Sequence, residues 1–329
     1  MMALGYNRVL GDPNKPAEAR PHRVAMANWP ANNPTVDGRT ASFEALCGHL
    51  AGAGYEGIEF SAHWLGGKYF PGDSHAVVAR KARQVLEKNK LQNFGTTLHR
   101  PDAEVRQLRW KTEFSDQAKI QQDMGSEFIS VQFSLHPDYN GTGGAYREDE
   151  DYLRWAAGIV ADMREAVWAL GMNFYLEVHM DRVTEDPAGC CRILDMCACE
   201  LNGDMSHYLF RGIGRGKHLE KIMQYVHHSH VRMARKLGDL SAGVEDPKAD
   251  WQQKGVTWQM FEMMKPALAH GLSSRTIAGE TGPMHLVKDT LTQDASLVPL
   301  YRAMARYADA GAQGITMKVE SPEDLKPWG

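Results

Sequence analysis

The chain has 329 residues, of which 43% are hydrophobic and 24% charged, with a formal net charge of -4. That balance is ordinary for a globular protein and argues against broad nucleic-acid binding, which needs a basic face. No window holds the ~18 consecutive apolar residues that a membrane-spanning helix requires. The first thirty residues carry Arg8, Asp12, Lys15, Glu18, Arg20 and Arg23 and lack the continuous apolar stretch of a signal peptide. The expectation is therefore a cytoplasmic protein with no membrane or nucleic-acid partner.

Residues 1–22, with Pro13, Pro16 and Pro21, read as an irregular arm, and residues 23–329 as a single domain. Short β-like runs then follow at 23–29, 56–62, 92–99, 127–134, 172–179, 199–204, 226–233 and 275–281. Helix-like stretches lie between them. Residues 41–53 place Phe43, Leu46 and Leu50 at helical spacing, and 76–90 carry Val77, Val78, Val85 and Leu86 among basic residues. Residues 149–170 repeat the pattern with Leu153, Trp155, Ile159, Met163 and Val167, and 293–310 with Leu297, Leu300, Met304 and Tyr307. The recurring unit is helix, Gly, short strand, seen best in "AGAGYEGIEF" and "WALGMNFYLEV". Glycine is the usual left-handed terminator of a helix, and a strand within a few residues is the helix-to-strand connection of a parallel sheet. Eight units point to an α/β fold of the (β/α)8 TIM-barrel type. The competing open doubly wound sheet lacks a G-x-G-x-x-G after its first strand. Residues 62–75, 136–147 and 237–256 read as long loops on the C-terminal face, where barrel active sites sit.

The polar residues of interest gather at strand ends. Glu177 and His179 close strand five and, two apart, share a face. Asp204 closes strand six, with His207 just beyond. His230 and Arg232 share a face of strand seven, and Glu280 closes strand eight. Taken singly, such a Glu is commonly an ion-pair or capping residue and such a His a packing residue. Together, Glu177, Asp204, His230 and Glu280 converge from four consecutive strands as a mixed oxygen and nitrogen ligand set. That set suits one divalent metal, Mn2+ ahead of Mg2+, Co2+ or Zn2+, and the lack of a thiolate argues against a closed structural zinc site. His228 shares a face with His230; His230, nearer the strand end, is taken as the ligand and His228 is left unassigned.

The order Glu, Asp-x-x-His, His, Glu resembles the xylose-isomerase-like superfamily of sugar isomerases and epimerases. The strings that carry the resemblance are "YEGIEF" at 55–60, "FYLEVHMDR" at 174–182, "GDMSHYL" at 203–209, "HVRMARK" at 230–236 and "IAGETG" at 277–282. The resemblance implies metal binding by Glu177, Asp204, His230 and Glu280. It also implies substrate contact by His207, with Glu59, His99 and Trp64 close by and Arg232 on the same face as His230. Two features depart from the epimerases of this superfamily. They often carry a second Glu six residues after the first metal Glu, where this chain has Val183. They usually carry an apolar residue where this chain has His179.

A site of this kind supports removal of a proton next to a carbonyl. His179, with an ordinary pKa near ~6.5, is the candidate base, or else a residue that orients Glu177. Glu177 and Glu280 complete the expected catalytic set. Reprotonation gives isomerisation or epimerisation of a sugar, the first expectation. Loss of a leaving group gives a lyase, and C-glycoside deglycosidases that cleave 3-keto-glycosides resemble the pattern. That resemblance implies a small β-rich partner subunit, besides the homo-oligomer common among such barrels. An abasic-site endonuclease shares the fold, but the acidic balance disfavours it. Three minor features take structural readings. The five cysteines are packing residues rather than a zinc site, and "RGIGRGK" at 211–217 is a loop rather than a phosphate cradle. Trp29, Trp64, Trp251 and Trp258 pack, although they could also face a sugar or aryl glycoside.

Overall fold

The computed structural model describes residues 23–27, 35–36, 39–142, 144–231, 246–270, 276–279 and 296–328. The expected arm, 1–22, Trp29, and the site residues Arg232 and Glu280 lie outside them.

All eight expected strands are present: β1 Arg23–Ala27, β2 Gly57–Glu59, β3 in two pieces (Gln92–Asn93 and Gly95–Arg100), β4 Phe128–Phe133, β5 Asn173–Glu177, β6 Glu200–Asn202, β7 Val226–Val231 and β8 Thr276–Gly279. Each pairs in parallel with the next in sequence, and β1 pairs with β8, so the sheet closes. Closure runs through β3. Gln92 and Asn93 pair with Gly57 and Ile58 of β2, Phe94 donates its N–H to Ile58 O at 2.9 Å, and the second piece pairs along β4. The fold is thus a (β/α)8 barrel.

The helices include α1 Phe43–Ala53, α2 Ala62–Tyr69, α3 His75–Lys88, α4 Asp102–Val105, α5 Trp110–Asp123, α6 Glu150–Trp168, α7 Pro187–Cys197, α8 Ser206–Phe210, α9 Lys217–Met223, α10 Pro247–Gln252, α11 Val256–Ala269 and α12 Val298–Ala312. Helix α1 ends as its sequence predicts: Gly54 adopts φ 96° and returns its N–H to Leu50 O and Ala51 O before β2 begins. Two loop expectations are corrected. Residues 62–75 hold α2, because Ser61 caps it by accepting from Trp64 N–H at 3.0 Å and its Leu65 is buried; Gly66 and Gly67 hide the helix in sequence. Residues 246–256 hold α10, capped by Asp246 with Pro247 in the first turn. Among the described residues, no helix is long and apolar enough to cross a membrane.

Period-two alternation divides the core. On β1, Val24 and Met26 join the large cluster between sheet and helices, whereas Ala25 and Ala27 join a small cluster with Phe94, Phe128, Tyr175 and Ala278. Three aromatic rings therefore fill the barrel interior, and the small side chains of β1 and β8 leave room for them.

At the opposite end from the strand termini discussed below, Glu200 opens β6 with its carboxylate 3.2 Å from His227 Nδ1. Burial pushes Glu200 up to about 7 and His227 down to about 4. Between its ordinary value of 4.5 and about 7, Glu200 is protonated in the folded chain and ionised in the unfolded one. Its contribution to stability is therefore lost as pH rises through that interval. His227 has the opposite slope, so the comparison must isolate Glu200. Relative to the unsubstituted chain, Glu200→Gln should gain thermal stability progressively from pH 5 to pH 8; parallel melting profiles would contradict the assignment.

Candidate functional site

The barrel interior changes from apolar to polar along its axis. His228, inward-facing on β7, lies over the aromatic layer, 4.5 Å from the Phe128 ring centre and stacked on Tyr175 at 6.0 Å and 20°. Next comes Glu59, the last residue of β2, which is 1% exposed. One of its oxygens lies 3.0 Å from His228 Nε2 and the other accepts from His230 Nε2 at 2.8 Å. Burial works to raise the Glu59 carboxyl, but the two imidazoles outweigh it and hold the group down at about 2. Glu59, expected beside the substrate, thus faces two histidines inside the barrel.

Glu177, Asp204 and His230 meet at the C-terminal end. All three are buried, and their ligand-type atoms lie within 4.8 Å of one another. Three consecutive strands deliver them: Glu177 ends β5, Asp204 follows β6 by two residues, and His230 is the penultimate residue of β7. Each is held from behind. Gln132 donates to Glu177 Oε1 at 2.8 Å and Ser130 lies 3.5 Å from Oε2. Asp204 Oδ1 accepts from Ser206 N–H at 3.2 Å and from the Ser206 hydroxyl. Asn202 accepts from His230 N–H at 3.2 Å and donates to Ser130 Oγ at 3.2 Å.

His179 and His207 flank this group with ring centres 3.8 Å apart. His179 Nδ1 lies 2.6 Å from Met180 O, and its N–H donates to Thr184 Oγ1 at 3.1 Å. A carbonyl only accepts, so Nδ1 carries the proton and Nε2 carries the lone pair. Burial, followed by the neighbouring His207, pushes His179 down to about 3, against the opposing pull of Glu177. His207 Nε2 lies 3.2 Å from Asp204 Oδ2, and its Nδ1 is buried with no hydrogen-bond partner among the described residues.

The remaining expected substrate residues divide. His99, at the end of β3, is exposed and contacts Ser134 Oγ at 2.8 Å. Trp64, on α2, packs at 4.8 Å from Phe60 and 5.6 Å from Tyr69. Sequence reading missed Gln132, Ser130 and Asn202. The signal was present for the first two, since S-x-Q inside an apolar strand marks two polar side chains on one face.

No protein-family profile matches this chain, and no curated protein matches it in sequence. Solved structures do match in shape. The probable 3-DHS dehydratase AsbF of Bacillus anthracis is 14% identical with a TM-score of 0.58, over 84% of this chain and 98% of that one. D-allulose 3-epimerase from Methylomonas sp. is 11% identical with a TM-score of 0.57, over 87% and 98%. A xylose isomerase-like TIM barrel protein from Mycobacterium smegmatis, solved with magnesium, is 14% identical with a TM-score of 0.56, over 88% and 98%. This chain has the xylose-isomerase-like TIM-barrel fold.

Within this xylose-isomerase-like barrel the cysteines are structural. All five are buried and unbridged, and among the described residues none joins a group with metal-ligand geometry. The loop at 211–217 reaches toward β5: Arg211 donates to Glu185 O at 2.9 Å.

The His179 environment has a direct spectroscopic consequence. In 15N-histidine spectra of the metal-free protein, His179 should be a neutral Nδ1–H tautomer from pH 8 down to pH 5. A protonated ring at pH 6 would contradict the burial described above.

Proposed function

We propose that this chain is a divalent-metal-dependent enzyme that removes a proton from the carbon next to a carbonyl of a sugar or keto-sugar. The observation that carries the reading is the convergence of Glu177, Asp204 and His230 within 4.8 Å at the barrel end, with His179 and His207 beside them. Two carboxylates and an imidazole fit Mn2+, Mg2+, Co2+ or Zn2+. Burying two carboxylates side by side is costly, and a cation between them offsets the cost. Glu280, the residue after Gly279 of β8, is proposed as a fourth ligand. A metal bound there would supply Lewis-acid polarisation of a carbonyl or neighbouring hydroxyl oxygen. The magnesium in the Mycobacterium smegmatis protein supports the same reading.

The chain's own groups supply the rest. Gln132 and Ser206 fix the two carboxylates, which leaves their other lone pairs directed by packing rather than by solvent. His179 Nε2, with its lone pair set by the Met180 contact, takes the proton as general base. His207 Nδ1 donates to or accepts from a substrate oxygen.

One observation favours specific outcomes. Inversion at a single carbon requires a proton removed on one face and returned on the other, which takes two acid–base groups. Val183 is buried, and Glu185, the nearest acid, accepts from Asp181 N–H at 3.1 Å within the loop. Of the two imidazoles that flank the three ligands, His179 is the one whose Nε2 lone pair is fixed by a contact to its other nitrogen. With His179 as the base and His207 on a substrate oxygen, the arrangement suits isomerisation, in which one proton shuttles along one face, or elimination of a leaving group. We place aldose–ketose isomerisation and lyase action, including cleavage of a 3-keto-glycoside, ahead of epimerisation.

Added Mn2+ should raise the melting temperature of chelator-treated protein, and Asp204→Asn should abolish the rise. Absence of any divalent-metal binding would sink the proposal. In D2O, a turned-over ketosugar should gain solvent deuterium next to its carbonyl; a 3-keto-glycoside should release its aglycone if the lyase reading holds. Glu177→Gln should abolish activity. His179→Ala should lower kcat/KM by ~10²–10⁴-fold while leaving metal binding intact; unchanged activity would remove His179 from the mechanism.

A further inference from the structure

We infer that Glu59 is a positioning residue that sets the tautomer and orientation of His230, and that His228 braces Glu59 from below. The inference rests on the proposed metal-dependent reading for its consequence, but not for its geometry.

Glu59 is far from His230 in sequence, 171 residues apart, yet its Oε2 accepts from His230 Nε2 at 2.8 Å inside the barrel. An ionised carboxylate can only accept. The proton of a neutral His230 ring must therefore sit on Nε2, and the lone pair on Nδ1. Nδ1 is the nitrogen on the side of Glu177, 3.7 Å from its Oε1. The ring is thus turned so that its basic nitrogen faces Glu177. A carboxylate hydrogen-bonded to the far nitrogen of a ligating imidazole fixes the ring and raises its basicity.

The second Glu59 oxygen is not idle. It lies 3.0 Å from His228 Nε2, and His228 is fully buried against the mutually packed rings of Phe128 and Tyr175. The stacked imidazole cannot swing away without opening a gap in the aromatic layer. It therefore fixes the lateral position of Glu59, and through it that of His230. The three side chains form a column: His228 on aromatic rings, Glu59 above it, His230 at the rim. This column also explains why a carboxylate can be buried at this depth, since both of its oxygens have imidazole partners.

The same three residues could instead hold a second ion, because their ligand-type atoms also lie within 4.8 Å of one another. His230 Nε2 and Glu59 Oε2 meet as a hydrogen-bonded pair at 2.8 Å, which places a proton between them where an ion would need both lone pairs. The geometry points to positioning.

The test has a metal-free arm and a metal arm. In 15N-histidine spectra of the metal-free full chain, His230 should be the Nε2–H tautomer, and Glu59→Leu should remove that preference. An Nδ1–H tautomer in the unsubstituted chain overturns the inference whether or not metal binds. In the second arm, Co2+ is titrated and its visible absorption recorded. Glu59→Leu and Glu59→Gln should weaken Co2+ binding by ~10–100-fold and alter the spectrum, with Glu59→Asp restoring part of both. His228→Phe keeps the stacking and removes only the brace, so it should give a smaller loss with the chain still folded. Unchanged Co2+ affinity and spectrum in a folded Glu59→Gln variant would overturn the proposal. So would two Co2+ per chain, one of them lost in both Glu59→Gln and His228→Phe. Failure of every form to bind Co2+ would instead reject the proposed function, while the tautomer measurement would still decide the role of Glu59.

Discussion

The site depends on how β6 is registered between β5 and β7. Along β5 the pairing is regular and sets Glu177 against Asn202. Along β7 it shifts, with Val226 opposite Leu201 and His228 opposite Asn202. A shift of this kind leaves a main-chain group of β7 without its ladder partner. The Asn202 side chain takes over, accepting the His230 N–H and tying it to Ser130 on β4. One buried amide thus links β4, β6 and β7 at the level where Glu177 and His230 must meet. Gly203 then donates its N–H to His228 O at 2.8 Å, and the chain turns to deliver Asp204.

Placing so many ionisable groups inside a barrel is a problem of desolvation. The structure answers it by layers. The deepest layer is mostly apolar and aromatic, and its burial favours folding. Above it the imidazoles and carboxylates alternate, so that each buried acid has a donor: His230 for Glu59, with His228 close to its other oxygen, Gln132 and Ser130 for Glu177, and Ser206 for Asp204. Apolar packing below restrains the polar layer, because the buried His228 rests on the rings of Phe128 and Tyr175. Rigidity matters to function, since a ligand set displaced by an ångström loses much of its affinity and selectivity.

Much of this was legible in the sequence, for identifiable reasons. The strands were visible as apolar runs at regular spacing, and helix endings such as Gly54 were marked by the residue type that a left-handed turn needs. The convergence of Glu177, Asp204 and His230 followed from their positions at strand ends, because a closed barrel brings adjacent strand ends together. What was hidden depended on contacts between distant segments. Helix α2 was masked by its two glycines, although its Ser61 cap was in plain view. Asn202 looked like one more polar residue near a strand end, because its role arises from a register shift that no local pattern encodes. The resemblance implies Glu59 near the substrate, whereas the histidines that face it come from β7, a contact that no local pattern encodes.

Four histidines in this barrel end share one chemistry and differ in role through environment alone. His228 is fixed by stacking and acts through Glu59. His230 has its far nitrogen occupied by Glu59, which directs its other nitrogen toward Glu177. His207 is drawn to Asp204 through one nitrogen and keeps the other uncommitted to any described residue. His179 has its Nδ1 bound to a carbonyl of its own loop, is kept neutral by burial, and so offers a lone pair without a competing acid partner on that nitrogen. On the proposed reading, an imidazole held in this way is a base that stays uncharged beside a bound cation, where a protonated ring would be repelled. In the same reading, the proton it removes goes to the neighbouring carbon or to a departing group, because Glu185 on the β5 loop is engaged by Asp181 N–H. On that reading the choice between isomerase and lyase rests less on the proposed ligand set, which would serve both, than on Val183 and His179, the two positions at which this chain differs from the epimerase pattern it resembles.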